Sequence, residues 1–189
     1  MHKTNVKIVA LIIITLSLSA CVSSKNYFQL IEGSESGNVT SYPTNVYEVK
    51  ISNTLSGHLW LHGGFEAPVI LTIALNIPKE ISLSLLNENI TINSGTHKKL
   101  LKITGITTQS NTLVKANETI TGNSKEQFTF FGYKSIPYEY LLKLENSTFE
   151  IASDAFSIQF PNMNINGEVI TPPEFKFVKD KGLYLITIN

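Results

Sequence analysis

Three groups of residues have types and spacings that invite chemistry. His58-Leu59-Trp60-Leu61-His62 sets two imidazoles four positions apart around the sole tryptophan. On a helix, that spacing lets two histidines share a zinc ion, with a glutamate beside the first as general base. Here Gly57 precedes the run, Gly63-Gly64 follows it, and no glutamate stands next to His58. As a strand, four residues at about 3.3 Å each hold the imidazoles roughly 13 Å apart, too far for one ion. No metal and no cofactor is therefore expected. Alternation puts His58, Trp60 and His62 on one face and Leu59 with Leu61 on the other. His58, Trp60 and His62 thus form a candidate binding surface on which a sugar or a protein partner could stack, although a lone tryptophan in a β-sandwich is also commonly a core residue.

The second group is His97-Lys98-Lys99, with Lys102 nearby. It could meet a glycan phosphate or an anionic lipid head group, and equally reads as a solvated turn after Gly95. The third group, Phe128, Phe130, Phe131, Tyr133, Tyr138 and Tyr140, is an aromatic stretch that is either sandwiched on both faces or exposes an adhesive one. Catalytic signatures are missing: there is no Gly-x-Ser-x-Gly elbow, no phosphate-binding glycine loop and no His-Glu-x-x-His. Aspartate occurs only at Asp154 and Asp180, the latter inside a turn signal, Asp180-Lys181-Gly182. The chain reads as a non-enzyme.

The elements that must position these groups are strands. Val46 to Ser52, Pro68 to Ile77, Leu100 to Ile106, Gln127 to Tyr133, Phe156 to Phe160, Glu174 to Val178 and Leu183 to Ile188 carry β-branched or aromatic residues in runs of strand length. Val69, Leu71, Ile73, Leu75 and Ile77 share one face, which predicts a central strand. Asn166-Gly167, between Ile165 and Val169, is the strongest hairpin signal, because a type I′ turn needs φ > 0 at both central positions. Tyr138 to Leu144 fits helical spacing and alternation equally well. Many short strands without intervening helices predict an all-β fold, an antiparallel β-sandwich of immunoglobulin-like or transthyretin-like arrangement. It would occupy residues 46–189 as a single domain. Residues 21–45 read as a tether, with Tyr27 to Ile31 as an equally good first strand.

The N-terminus has three parts: Lys3 and Lys7, the apolar run Ile8 to Leu18, and small residues before Cys21, the only cysteine. The apolar run is shorter than the roughly 20 residues a spanning helix needs, so residues 1–20 read as a cleaved signal helix. Leu18-Ser19-Ala20-Cys21 resembles the lipobox of bacterial lipoproteins. The resemblance implies cleavage before Cys21, a thioether diacylglycerol on its sulfur and an amide-linked acyl chain such as palmitate on its nitrogen. Two or more chains make a stable anchor, since each buried methylene contributes about 0.8 kcal/mol. Val22, rather than Asp, follows the cysteine, which in the enterobacterial sorting rule implies an outer-membrane anchor facing the periplasm.

Composition narrows the partners. All 15 basic residues are lysine and they balance 15 acids, so there is no basic field for nucleic acid and no arginine fork for bidentate phosphate or carboxylate recognition. With Cys21 committed to lipid, no disulfide can form. The expected partners are the membrane, through lipid on Cys21, and another envelope protein or a glycan. The expected role is that of an interaction or assembly module, with a glycan or small-ligand binder as alternative and a hydrolase behind both.

Overall fold

The computed structural model describes residues 22–32, 45–65, 67–108, 112–122 and 140–185. These fall into two compact units. The main unit is Phe28–Lys179; of the described residues the second holds 22–27 and 180–185, all extended strand. The expected signal helix and the run Gln127 to Tyr133 lie outside the described residues, as do all the aromatic positions from Phe128 to Tyr138.

All described regular structure is β. In chain order the strands are β1 (Val22–Glu32), β2 (Asn45–Lys50), β3 (Ser56–His62), β4 (Val69–Asn76), β5 (Ser82–Leu85), β6 (Asn89–Ser94), β7 (His97–Thr108) and β8 (Leu113–Val114). There follow β9 (Ile120–Thr121), β10 (Tyr140–Leu144), β11 (Thr148–Phe149), β12 (Ala155–Gln159), β13 (Met163–Ile165), β14 (Glu168–Ile170) and β15 (Glu174–Leu185). One sheet runs β1-β15-β12-β6-β7-β10-β4-β3-β2, with β11 on β4 and β8 on β7, and a smaller one runs β14-β13-β5-β9. Every strand pair whose register is resolved is antiparallel.

The large sheet folds over itself at β7. His97 to Lys102 pair with β6, whereas Ile103 and Gly105 to Thr108 pair with β10. Within the β10 pairing the register slips between Ile103 and Gly105, leaving Thr104 as the extra residue of a bulge, and its hydroxyl donates to the Lys143 carbonyl at 3.2 Å. A bulge bends its strand and increases the twist, which lets one strand serve two layers. Rings meet across the layers: Tyr47 on β2 lies 5.1 Å from Phe177 on β15, and Phe149 on β11 lies 5.8 Å from Phe156 on β12. The main unit is thus an antiparallel, barrel-like sandwich.

Period-two patterning fills its core. Val69, Leu71, Ile73, Leu75 and Ile77 are each at most 1% exposed, while Ile70 on the opposite face is 46% exposed. Tyr140 and Leu142 are buried and Leu141 is half-buried, so alternation prevails over helical spacing in β10. The Asn166-Gly167 hairpin forms between β13 and β14 with φ of 53° and 88°. Asn166 Oδ1 accepts from the amide and hydroxyl of Ser82 at 2.8 and 3.0 Å, which ties the turn to β5.

Two segments differ from their sequence reading. Val22–Glu32 is one strand, so the strand reading of Tyr27 to Ile31 extends up to the residue after Cys21. Asp180-Lys181-Gly182 makes no turn: β15 runs unbroken through it. β15 neighbours β1 in the large sheet, and ladder hydrogen bonds satisfy backbone groups that a turn would otherwise have to satisfy, so pairing prevails over the local turn composition.

Candidate functional site

The face of β2, β3 and β4 turned away from Leu59 and Leu61 carries the histidine-tryptophan group, and it is partly covered, since Val46 and Ala74 on it are at most 2% exposed. In register, Glu48, His58 and Ala74 form one transverse row and Val46, Trp60 and Thr72 the next. His58 and Trp60 are half-buried, and their rings lie 5.7 Å apart at 41°. His62, at the end of β3, is exposed and sits opposite Ile70. Leu59 and Leu61 on the reverse face are at most 1% exposed. The alternation is as the sequence reads it, and the extended strand keeps the two histidines at different rows. Among the described residues no three His, Cys, Asp or Glu side chains gather as a metal site.

His58 is the electrostatically unusual member. Its Nδ1 is buried with no hydrogen-bond partner among the described residues. Burial pushes its pKa below the ordinary 6.5, and the Glu48 carboxylate across the strand pair partly offsets this. A neutral imidazole lying against an indole makes a half-buried aromatic shelf. That arrangement suits contact with a ring, a sugar face or an apolar side chain.

Tyr140 is the one member of the later aromatic group among the described residues. It is 4% exposed, and its hydroxyl donates to the Thr121 carbonyl at 3.1 Å. It belongs to the core and takes no part in an exposed patch with Trp60.

The two ends of the sandwich each carry a groove. At the small-sheet end, the β2–β3 turn faces the β13–β14 hairpin across about 580 Å³, with Lys50, Asn53, Thr54, Asn166 and Glu168 on its walls. Ser52 Oγ shapes the turn by accepting from the amides of Thr54 and Leu55 at 3.2 and 3.1 Å. Amides, hydroxyls and one charge of each sign are groups that hydrogen-bond polyols. Sequence reasoning marked Asn166-Gly167 as a turn but missed that it faces Ser52-Asn53-Thr54. Those runs are more than 100 positions apart, and they meet only as opposite walls of one groove in the folded chain.

At the other end, the β6–β7 hairpin lies beside the segment after β11. Ser94 Oγ is 3.2 Å from Ser153 Oγ and accepts from the Ala152 amide at 2.9 Å. The groove here measures about 520 Å³ and includes His97, Lys98 and Lys99. Lys102 does not join them; it lies 3.9 Å from Glu145.

Cys21 precedes the described residues, but the strand after it leads into the core. Phe28 is fully buried, with its ring 5.5 Å from Phe65 and 5.3 Å from Phe156, and its carbonyl accepts from the Tyr47 hydroxyl.

No family model matches the chain, and neither a curated protein nor a solved structure does. The sandwich is therefore defined by its own strand order.

Proposed function

We propose that this protein is a lipid-anchored envelope protein, held in the outer membrane through Cys21 and facing the periplasm, that acts without catalysis by presenting its sandwich to another envelope protein. One observation carries the reading. The residue after the lipobox cysteine already belongs to β1, and Phe28 of that strand is a core residue. Seven residues reach at most about 25 Å, so a lipid on Cys21 would hold the fold close to the bilayer. Such an arrangement suits a fixed interaction module better than a mobile carrier. The His58–Trp60 shelf is the surface offered to the partner, since rigid aromatic groups contribute disproportionately to binding.

The test is the N-terminal peptide from membranes of a Gram-negative host. It should begin at Cys21 and carry the mass of diacylglycerol plus an acyl chain, and Cys21→Ser should abolish both cleavage there and the lipid mass. An unmodified Cys21 in the parent chain would refute the reading.

A second reading, a glycan or small-ligand binder, is favoured by the hydroxyl- and amide-walled groove between Asn53 and Asn166. Titration with soluble cell-wall glycan fragments should then give binding that Asn53→Ala weakens. Identical heats with parent and variant would exclude that groove.

A further inference from the structure

The groove at the hairpin end sets cationic side chains beside buried apolar ones. Along β7, Leu101 and Ile103 face the core, and Lys99 and His97 continue the same row past the end of the apolar layer. Their cross-strand partners on β6 are Ile92 and Ser94, each 2% exposed. Together with the buried ring of Phe149, these partners line the groove between the two layers. The Lys99 ammonium reaches across and donates to the Thr148 carbonyl at 2.8 Å. An ammonium has three donors, and this bond uses one while fixing where the charge sits. Lys98 and His97 border the same groove, and Glu150 is the one acid on it. Cationic donors above an apolar floor suit a phosphate that is attached to something apolar.

The groove also lies where the chain enters the main unit. Phe28, the first residue of that unit, stacks edge-on against Phe156, and Phe156 in turn packs against the groove's Phe149. On the same end, Phe28 meets Phe65, and Lys179 Nζ lies 5.6 Å from the Phe65 ring. Lys179 is 4.0 Å from Asp154, which offsets that acid beside the groove.

We propose that this groove takes the phosphate of an anionic phospholipid head group, so that the hairpin end of the sandwich is seated on the membrane and the opposite end is turned away from it. The proposal rests on the membrane anchoring put forward above. Lysines near an anionic leaflet are drawn to it over about a Debye length, roughly 10 Å, and a tether of at most about 25 Å from Cys21 to Phe28 leaves this end free to approach to that distance.

The experiment uses the full chain, as processed by a Gram-negative host, reconstituted into vesicles of phosphatidylglycerol or of phosphatidylcholine and followed by amide hydrogen exchange. Exchange at His97 to Lys99 and at Thr148 to Ala152 should slow in phosphatidylglycerol relative to phosphatidylcholine. The slowing should be lost in the Lys98→Ala/Lys99→Ala pair and retained in Lys98→Arg/Lys99→Arg. Equal exchange in the two lipids, or slowing that survives the alanine pair, overturns the groove while leaving anchoring intact. Slowing produced by soluble glycerol phosphate without vesicles overturns the lipid as the source. A chain that does not float with either vesicle overturns the anchoring and this proposal with it.

Discussion

Phe28→Ala distinguishes a first strand that belongs to the fold from a leader that merely runs beside it. The ring is fully buried against Phe65 and Phe156, and truncating a phenylalanine in such a place costs about 3–5 kcal/mol, the lost transfer energy plus the cavity left behind. For a domain of this size 1 kcal/mol moves the melting temperature by about 2–4 °C, so the expected fall is about 6 to 20 °C. The backbone carbonyl that receives the Tyr47 hydroxyl survives the substitution, so the change reports the ring alone. The assay is thermal unfolding followed by far-ultraviolet circular dichroism, with Ile31→Ala as a control on the same strand, because Ile31 is 51% exposed. Surface changes stay within about 0.5 kcal/mol. If Phe28→Ala melts within about 2 °C of the Ile31→Ala control, β1 is not part of the cooperative unit, and the argument for close anchoring fails.

The lowered pKa of His58 has a definite pH signature. A histidine whose folded pKa lies below 6.5 binds protons more readily when unfolded, so its neutral-state stability is complete above 6.5 and is lost as the pH falls from there toward the folded pKa. His58→Gln should flatten the decline in melting temperature between neutral and mildly acidic pH, and an unchanged slope would show that other groups cause it. Gly122→Ala should destabilise by about 1–3 kcal/mol or more, because a Cβ there runs into the Pro78 and Ile77 carbonyl oxygens; urea midpoints equal to the parent would contradict this. Gly167→Ala, at φ +88° with open space around it, should cost about 1 kcal/mol from backbone strain alone, read as a shift in the same urea midpoint.

The sheet was legible where side chains alternate strongly. Val69 to Ile77 declares its buried face in five apolar residues, and Leu59 with Leu61 does so against His58 and Trp60. Segments built from Ser, Asn and Thr gave less away: β6 (Asn89–Ser94) and β5 (Ser82–Leu85) bury only two leucines or isoleucines plus a serine at most, too few to stand out against turn-like composition. Asp180-Lys181-Gly182 misled because its turn preference is local, whereas the ladder with β1 is set by residues some 150 positions away. The site was legible only as pieces. The sequence marks His97-Lys98-Lys99 as basic, but that Lys99 follows the core-facing row and reaches Thr148 depends on how β7 passes between the layers.

The bond from the Tyr47 hydroxyl to the Phe28 carbonyl joins β2 to β1, the two strands at the ends of the large sheet's path. End strands are where sheets recruit foreign strands and start to aggregate. By latching one end of the strip to the other, a single buried phenol draws an open ribbon toward a ring. The same bond covers a backbone carbonyl of an end strand with a side chain, so that this acceptor is no longer open to a foreign strand.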